Sequence, residues 1–289
     1  MRTRKLIGLH QLVWQGDEEA MPPWVRRYAD DVLSRPLWQR LTLYRSLKRK
    51  LKLRNRFAIK HLTGRGIEVG AQQVPTKTSG NCAVEYVDVI PNEVLVERYG
   101  LSLEKLVPLT HIIDGNNLSV YADGELDFII ANHVLEHFDD PVGGLCEWLR
   151  VIRDGGRIFM TLPNFRCNYY DFERLPARRD HLELDYRDAD GRPARNFEHY
   201  VEIATTLYQS TDADAMRQLA QEWTDTDNRQ HYHVYDATTV KDVLDLAASA
   251  AKVGLRFVDG LLARDGFEFL LVLEKRSSGG LQNWPLPDR

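Results

Sequence analysis

Three cysteines in 289 residues, Cys82, Cys146 and Cys167, are too few and too scattered for a disulfide framework or a paired-cysteine metal site. No apolar run approaches the roughly 20 residues of a membrane span, and Met1–His10 (MRTRKLIGLH) lacks the apolar centre of a signal peptide. The G-x-G-x-x-G fingerprint of a dinucleotide loop is missing too, which weighs against a nicotinamide-dependent oxidoreductase. These absences lead to the expectation of a soluble protein of the cytoplasm.

What is present is ordinary for a globular chain: 43% hydrophobic and 28% charged residues with a net charge of −4. The charge is divided unevenly. Residues 1–65 carry +11 and the remainder −15, with the cations densest in Arg45–Arg56 (RSLKRKLKLRNR). A cationic leader therefore precedes an acidic body. The run has the makings of a solvated helix face or a contact to an anionic membrane or lipid-linked substrate; no nucleic-acid motif accompanies it, and no nucleic-acid partner is expected.

Apolar spacings of three to five predict a helix from about Trp24 to His61, broken near Pro36. After Gly66 the pattern changes to short apolar runs: Ile67–Val69, Ala83–Val89, His111–Asp114, Leu126–Ala131 and Arg157–Leu162 read as strands. Pro141–Ile152 is the clearest helix between them. Alternation of this kind predicts an α/β, doubly wound, mostly parallel sheet. A helix at Thr238–Val253 precedes strands Leu255–Leu262 and Phe267–Glu274, whose short Arg264–Gly266 link makes them an antiparallel hairpin. The stretch between Asn164 and Tyr235 is too long for a plain connection and reads as an insertion, with helix near Phe197–Tyr208 and Asp212–Trp223. The expected organisation is a leader (1–63), a core (64–164), an insertion acting as an acceptor lid (165–235), a return to the core (236–276) and a loose tail (277–289).

Polar and glycine signals fall at the ends of successive strands, where ligands bind in open α/β sheets. Gly70, in Ile67-Glu68-Val69-Gly70-Ala71, permits close backbone approach. Asp88, eighteen residues on, suits the hydroxyls of a ribose. Asp114-Gly115 ends the third strand, and Asn132-His133-Val134-Leu135-Glu136-His137 ends the fourth.

The segments GIEVGA, VEYVDV, HIIDGNNL and NHVLEHFDDPVGGLCEWLRVIRDGGRIFMTLPN together resemble the core of class I S-adenosylmethionine-dependent methyltransferases of the type 11 group. The likeness covers roughly residues 64–164, and 236–275 by pattern only. It implies a Rossmann-like seven-stranded sheet with an antiparallel last strand and S-adenosylmethionine as cofactor. It also implies roles: Glu68, Gly70 and Ala71 along the methionine and ribose side, Asp88 on the ribose hydroxyls, Asp114 and Gly115 at the adenine, and Asn132 and His133 over the methionine portion. The first loop departs from the family in having one glycine, Gly70, where two or three are usual. A sulfonium cofactor without a pyrophosphate tolerates that.

Most histidines of the insertion are candidates for chemistry. The sequence favours O-methylation of a small molecule or glycan in a biosynthetic setting, with a histidine base among His181, His199, His233 and His137. Tyr169, Tyr170 and Tyr186 are candidates to shape the acceptor pocket. On an extended segment His231-x-His233 would place both rings on one face as a metal pair, but no metal site is assigned. The alternatives that stay open are a non-catalytic cofactor-binding protein and a metal-assisted methyltransferase. The oligomeric state and the acceptor are not legible.

Overall fold

A computed structural model describes residues 37–165, 171, 173–208, 210–262 and 268–285. The part of the expected leader helix before residue 37, Cys167, Tyr169, Tyr170 and the Arg264–Gly266 link lie outside the described residues.

The helices are α1 (Leu37–His61), α2 (Asn92–Tyr99), α3 (Pro141–Val151), α4 (Arg179–Arg187), α5 (Arg192–Tyr208), α6 (Ala213–Asp225) and α7 (Ala237–Ala250). The strands are β1 (Gly64–Val69), β2 (Cys82–Asp88), β3 (His111–Ile112), β4 (Leu126–Asn132), β5 (Ile152–Pro163), β6 (Gly254–Leu261), β7 (Glu268–Arg276) and β8 (Gly280–Gln282). They form one sheet in the order β3-β2-β1-β4-β5-β7-β6-β8. Strands β1 to β5 are parallel, and β7 runs antiparallel to both β5 and β6.

The expected antiparallel strand is thus present, but the sheet described has eight strands and not seven. The eighth comes from the presumed loose tail, where Gly280–Gln282 pairs in parallel with the edge of β6. A three-residue edge strand with two glycines just before its centre carries too weak a hydrophobic signal to stand out in sequence.

Every residue of β4 from Phe128 to Ala131 is buried, because both faces of the sheet are covered. Ile129 and Ala131 pack toward α3 and α7 with Trp148, Leu149, Val243 and Leu244. Phe128 and Ile130, on the other face, join Phe159, Leu270 and Val272 against Ala58 and Leu62 at the end of α1. Asp140 caps α3 through the Gly143 amide at 2.8 Å, with Pro141 at the first helical position. Asp236 caps α7 through the amides of Thr238 and Thr239.

The connection from β1 to β2, residues 70–81, forms turns and no helix. Helix α1 covers that face of the sheet instead, and Asn55 accepts a 3.0 Å bond from the Lys77 amide to tie it to the helix-free connection. The cationic run is therefore not wholly a solvated face. Lys50 and Arg54 turn inward onto Glu268 at the start of β7, Lys50 at 2.7 Å and Arg54 through both its forked nitrogens. Although burial opposes its ionisation, Lys50, His133 and Arg54 hold the Glu268 carboxyl well below the ordinary range. No helix among the described residues is long and apolar enough to cross a membrane.

Glu268→Ala should leave two inward-facing cations without their counter-charge and cost about 3–5 kcal/mol. Urea unfolding measures it, and an unchanged midpoint would show that α1 is held by apolar contact alone.

Candidate functional site

The strand order reverses between β1 and β4, and the carboxyl ends of β1, β2 and β4 stop level there: Val69 pairs with both Val87 and Ala131. A cleft of about 660 Å³ opens above this point, bounded by the strand-end residues, by Val89–Pro91 and by Thr226–Arg229 of the insertion. All eight residues assigned to cofactor binding from sequence line it: Glu68, Gly70, Ala71, Asp88, Asp114, Gly115, Asn132 and His133.

Their individual roles differ. Asp88 is 6% exposed; its Oδ1 accepts from the Ile90 amide at 3.0 Å, and the Val89 amide also bonds its carboxylate. Burial raises its pKa. Gly70 has a φ of 67°, in the left-handed region that a glycine adopts without strain. At Gly115 any Cβ would stand 2.7 Å from Val69 and 3.1 Å from Phe138, so the backbone there must stay bare.

Glu68 is inward-facing and satisfied by the chain itself: it accepts from the Thr76 amide at 2.9 Å, the Thr76 hydroxyl at 2.7 Å and Asn132 Nδ2 at 3.2 Å. Asn132 is in turn held by Thr161. Glu68 and Asn132 therefore shape the floor of the cleft by fixing the helix-free connection. His133, at a φ of 56°, lies between two carboxylates, Glu268 at 2.9 Å from Nε2 and Glu136 at 3.3 Å from Nδ1.

Asp114 shows an unforeseen partner. Arg229 of the insertion reaches it at 2.5 Å, so the insertion closes one end of the cleft by an ion pair across 115 residues of sequence. Arg229 had no signal to find it by, since a lone arginine in an unpatterned insertion looks like any surface charge. Arg54, which also lines the cleft, was hidden within the basic run.

Of the four base candidates, His137 alone lines the cleft. Its Nδ1 faces the Gln230 carbonyl at 3.2 Å, and because a carbonyl only accepts, Nδ1 carries the proton and Nε2 the lone pair. Burial, followed by His231, pushes its pKa down to about 4. Beside it Glu136 is wholly buried, with His133 Nδ1 3.3 Å from its Oε1. Burial works against its ionisation, yet His133, His231 and His137 hold it below the ordinary range.

His181, His199 and His233 gather elsewhere, around Asp185, and none of them lines the cleft. The pairing expected for His231-x-His233 does not occur. The segment belongs to no strand, so the alternation of a pleated ladder does not apply. His231 joins Glu136 and His137, whereas His233 joins the Asp185 group. Tyr186 lines a separate, shallower depression with Asp140, Cys146 and Arg192.

Residues 65–160 match the family model described as a methyltransferase domain. No curated protein matches the chain. Solved structures similar to it include a putative zinc-dependent alcohol dehydrogenase from Rhodobacter sphaeroides at 13% identity (77% of this chain, 88% of that one, TM-score 0.47). A Burkholderia thailandensis 1,6-didemethyltoxoflavin-N1-methyltransferase with bound S-adenosylhomocysteine is 13% identical (79% and 78%, TM-score 0.42). A SAM-dependent methyltransferase from Aquifex aeolicus is 14% identical (78% and 88%, TM-score 0.39).

The depressed pKa of His137 carries a stability consequence. Unfolded, the ring titrates near 6.5; folded, near 4. Between those values the unfolded chain binds more protons, so the stability present above pH 6.5 is lost as pH falls toward 4, by on the order of 3 kcal/mol. His137→Gln should lose less stability than wild type between pH 7 and pH 5 in urea titrations. Parallel curves for the two proteins would contradict the burial of a neutral ring.

Proposed function

We propose that this chain, whose core is a class I S-adenosylmethionine-dependent methyltransferase domain, moves the cofactor's methyl group to a hydroxyl of a small molecule or glycan, with His137 as proton acceptor. The observation that carries the reading is the cleft at the sheet's switch point, with the carboxylate of Asp88 on one side and the lone pair of His137 on the other. The bare backbone at Gly70 and Gly115 fits a flat cofactor pressed against the strand ends.

Bound S-adenosylmethionine supplies a methyl group already activated on a sulfonium. The chain's own work is alignment, exclusion of water and removal of one proton. Asp88 binds the ribose hydroxyls, Asp114 and Gly115 border the adenine, and Val89 and Ile90 offer it an apolar wall. Residues 226–229 of the insertion close over the cleft, with Arg229 latched on Asp114. His137 is neutral through the whole neutral range and takes the hydroxyl proton at Nε2, while buried Glu136 offsets the charge that develops on the ring.

The cleft volume lies within the range of about 300–1,000 Å³ usual for small-molecule sites. Two of the leader's cations are engaged by Glu268, while the exposed Arg49, Lys52 and Arg56 face solvent and would meet an anionic or lipid-linked acceptor.

Asp88→Ala should weaken S-adenosylhomocysteine binding by about 1–3 kcal/mol in calorimetry. Wild-type affinity in a folded variant would remove Asp88 from the ribose. For turnover, hydroxylated small molecules and glycans are screened for S-adenosylhomocysteine release. His137→Gln should then lower kcat by roughly 10²–10⁴-fold with cofactor affinity near wild type. Full activity in that variant would refute the base, and no turnover on any hydroxyl acceptor would favour a cofactor-binding protein without catalysis.

A further inference from the structure

The group around Asp185 brings three imidazoles and a carboxylate to one point. His181 and Asp185 stand at i and i+4 on α4, His199 lies on α5, and His233 sits on the segment leading into α7. One ligating atom from each of the four falls within 4.8 Å of all the others. His181 Nε2 lies 2.9 Å from His199 Nε2 and 3.1 Å from Asp185 Oδ2, and His233 Nε2 lies 3.0 Å from the same oxygen. His233 Nδ1 faces the Phe138 carbonyl at 3.1 Å and so carries the ring's proton when the imidazole is neutral. That leaves a lone pair of His233 pointed at a carboxylate oxygen. His181 Nε2 likewise cannot donate to Asp185 and His199 at once. With each ring's proton on Nδ1, three Nε2 lone pairs and an anion converge on one point, an arrangement that a cation at that point would complete.

We propose that His181, Asp185, His199 and His233 bind one divalent transition-metal ion, Zn²⁺ by donor set, as a closed structural site. Bonds of about 2.0–2.2 Å from a tetrahedral zinc ion put its ligands about 3.3 Å apart, and three of the separations here, 2.9–3.1 Å, stand close to that edge. Three imidazoles and one carboxylate suit zinc better than the oxygen-seeking Mg²⁺ or Ca²⁺. The outer contacts are those that ligands need: the Phe138 carbonyl fixes the His233 ring, and Arg195 holds Asp185 Oδ1 at 2.5 Å, leaving Oδ2 for the ion. Asp185 and His233 are buried and the other two half-buried, so the site is shielded but reachable.

Four protein ligands leave no open position for substrate, and none of them lines the cofactor cleft. The ion's task is mechanical. It joins α4, whose Leu182 packs in the main core, to α5 and the segment before α7, whose Tyr200 and Tyr232 pack in a separate small core, and through Phe138 it anchors them to the cleft wall. This site does not depend on methyl transfer, and its test needs no turnover.

The full-length chain, stripped by a chelator and dialysed, is titrated with Zn²⁺ against a chromophoric competitor and, separately, with Co²⁺. The expected result is one equivalent bound at sub-micromolar affinity, intense visible absorption from four-coordinate Co²⁺, and a higher thermal midpoint on metal addition. His199→Ala combined with His233→Ala should lower affinity at least 100-fold. Asp185→Asn, which keeps the side chain's shape, should lower it by about 10–100-fold even if the double variant does not fold. Absence of stoichiometric binding, or a weak six-coordinate Co²⁺ spectrum, would overturn the proposal and leave a hydrogen-bonded histidine cluster. Binding that survives those variants but is lost in His231→Ala would also overturn it, by placing the ion with Glu136 and His137.

Discussion

Glu268 is a carboxylate taken almost wholly out of water, and the cations gathered on it decide how the parts of this protein meet. Lys50 and Arg54 come from the leader helix, His133 from the turn that ends β4, and Glu268 itself from the antiparallel strand that sets the hand of the sheet's far side. Without a helix between β1 and β2, one face of the sheet would stand open. The leader helix fills it, and the ion cluster fixes where that helix ends relative to the cleft. His133 then bridges from Glu268 to Glu136, so the charge network runs from the helix to the wall of the cleft.

Two histidine groups lie near that network. One, His231 of the insertion with Glu136 and His137 of the core, meets the cleft through His137. The other, around Asp185, has no member on the cleft and draws on α4, α5 and the segment before α7. Adjacent positions in sequence, His231 and His233, serve different groups because the segment between them follows its tertiary contacts and no ladder. Tyr232 points between the two and hydrogen-bonds Tyr200 in the small apolar core of α5 and α6.

The parallel core was legible because its signals are local. Asp140-Pro141 starts a helix by capping, β4 carries the apolar run Phe128–Ala131, and the acids at the strand ends recur at crossover spacing. All eight cofactor-site residues inferred on that basis, with the family likeness, do line one cleft. What stayed hidden depends on long-range pairing. Arg229 meets Asp114 and Glu268 meets Lys50 across stretches of sequence with no periodicity to announce them. The helix-free β1–β2 connection and the short edge strand β8 escaped for the same reason: each is stabilised by what lies beside it in space. The histidines of the insertion were recognised as chemically important residues, but their sorting into two groups required coordinates.

A crystal structure of the full chain with S-adenosylhomocysteine measures the central claim directly. The account predicts one molecule in the switch-point cleft, its ribose hydroxyls on the carboxylate of Asp88, its adenine between Ile90 and Gly115, and its sulfur on the side of His137. S-adenosylhomocysteine bound elsewhere, or seated in the cleft with its ribose away from Asp88 and its sulfur away from His137, would contradict it.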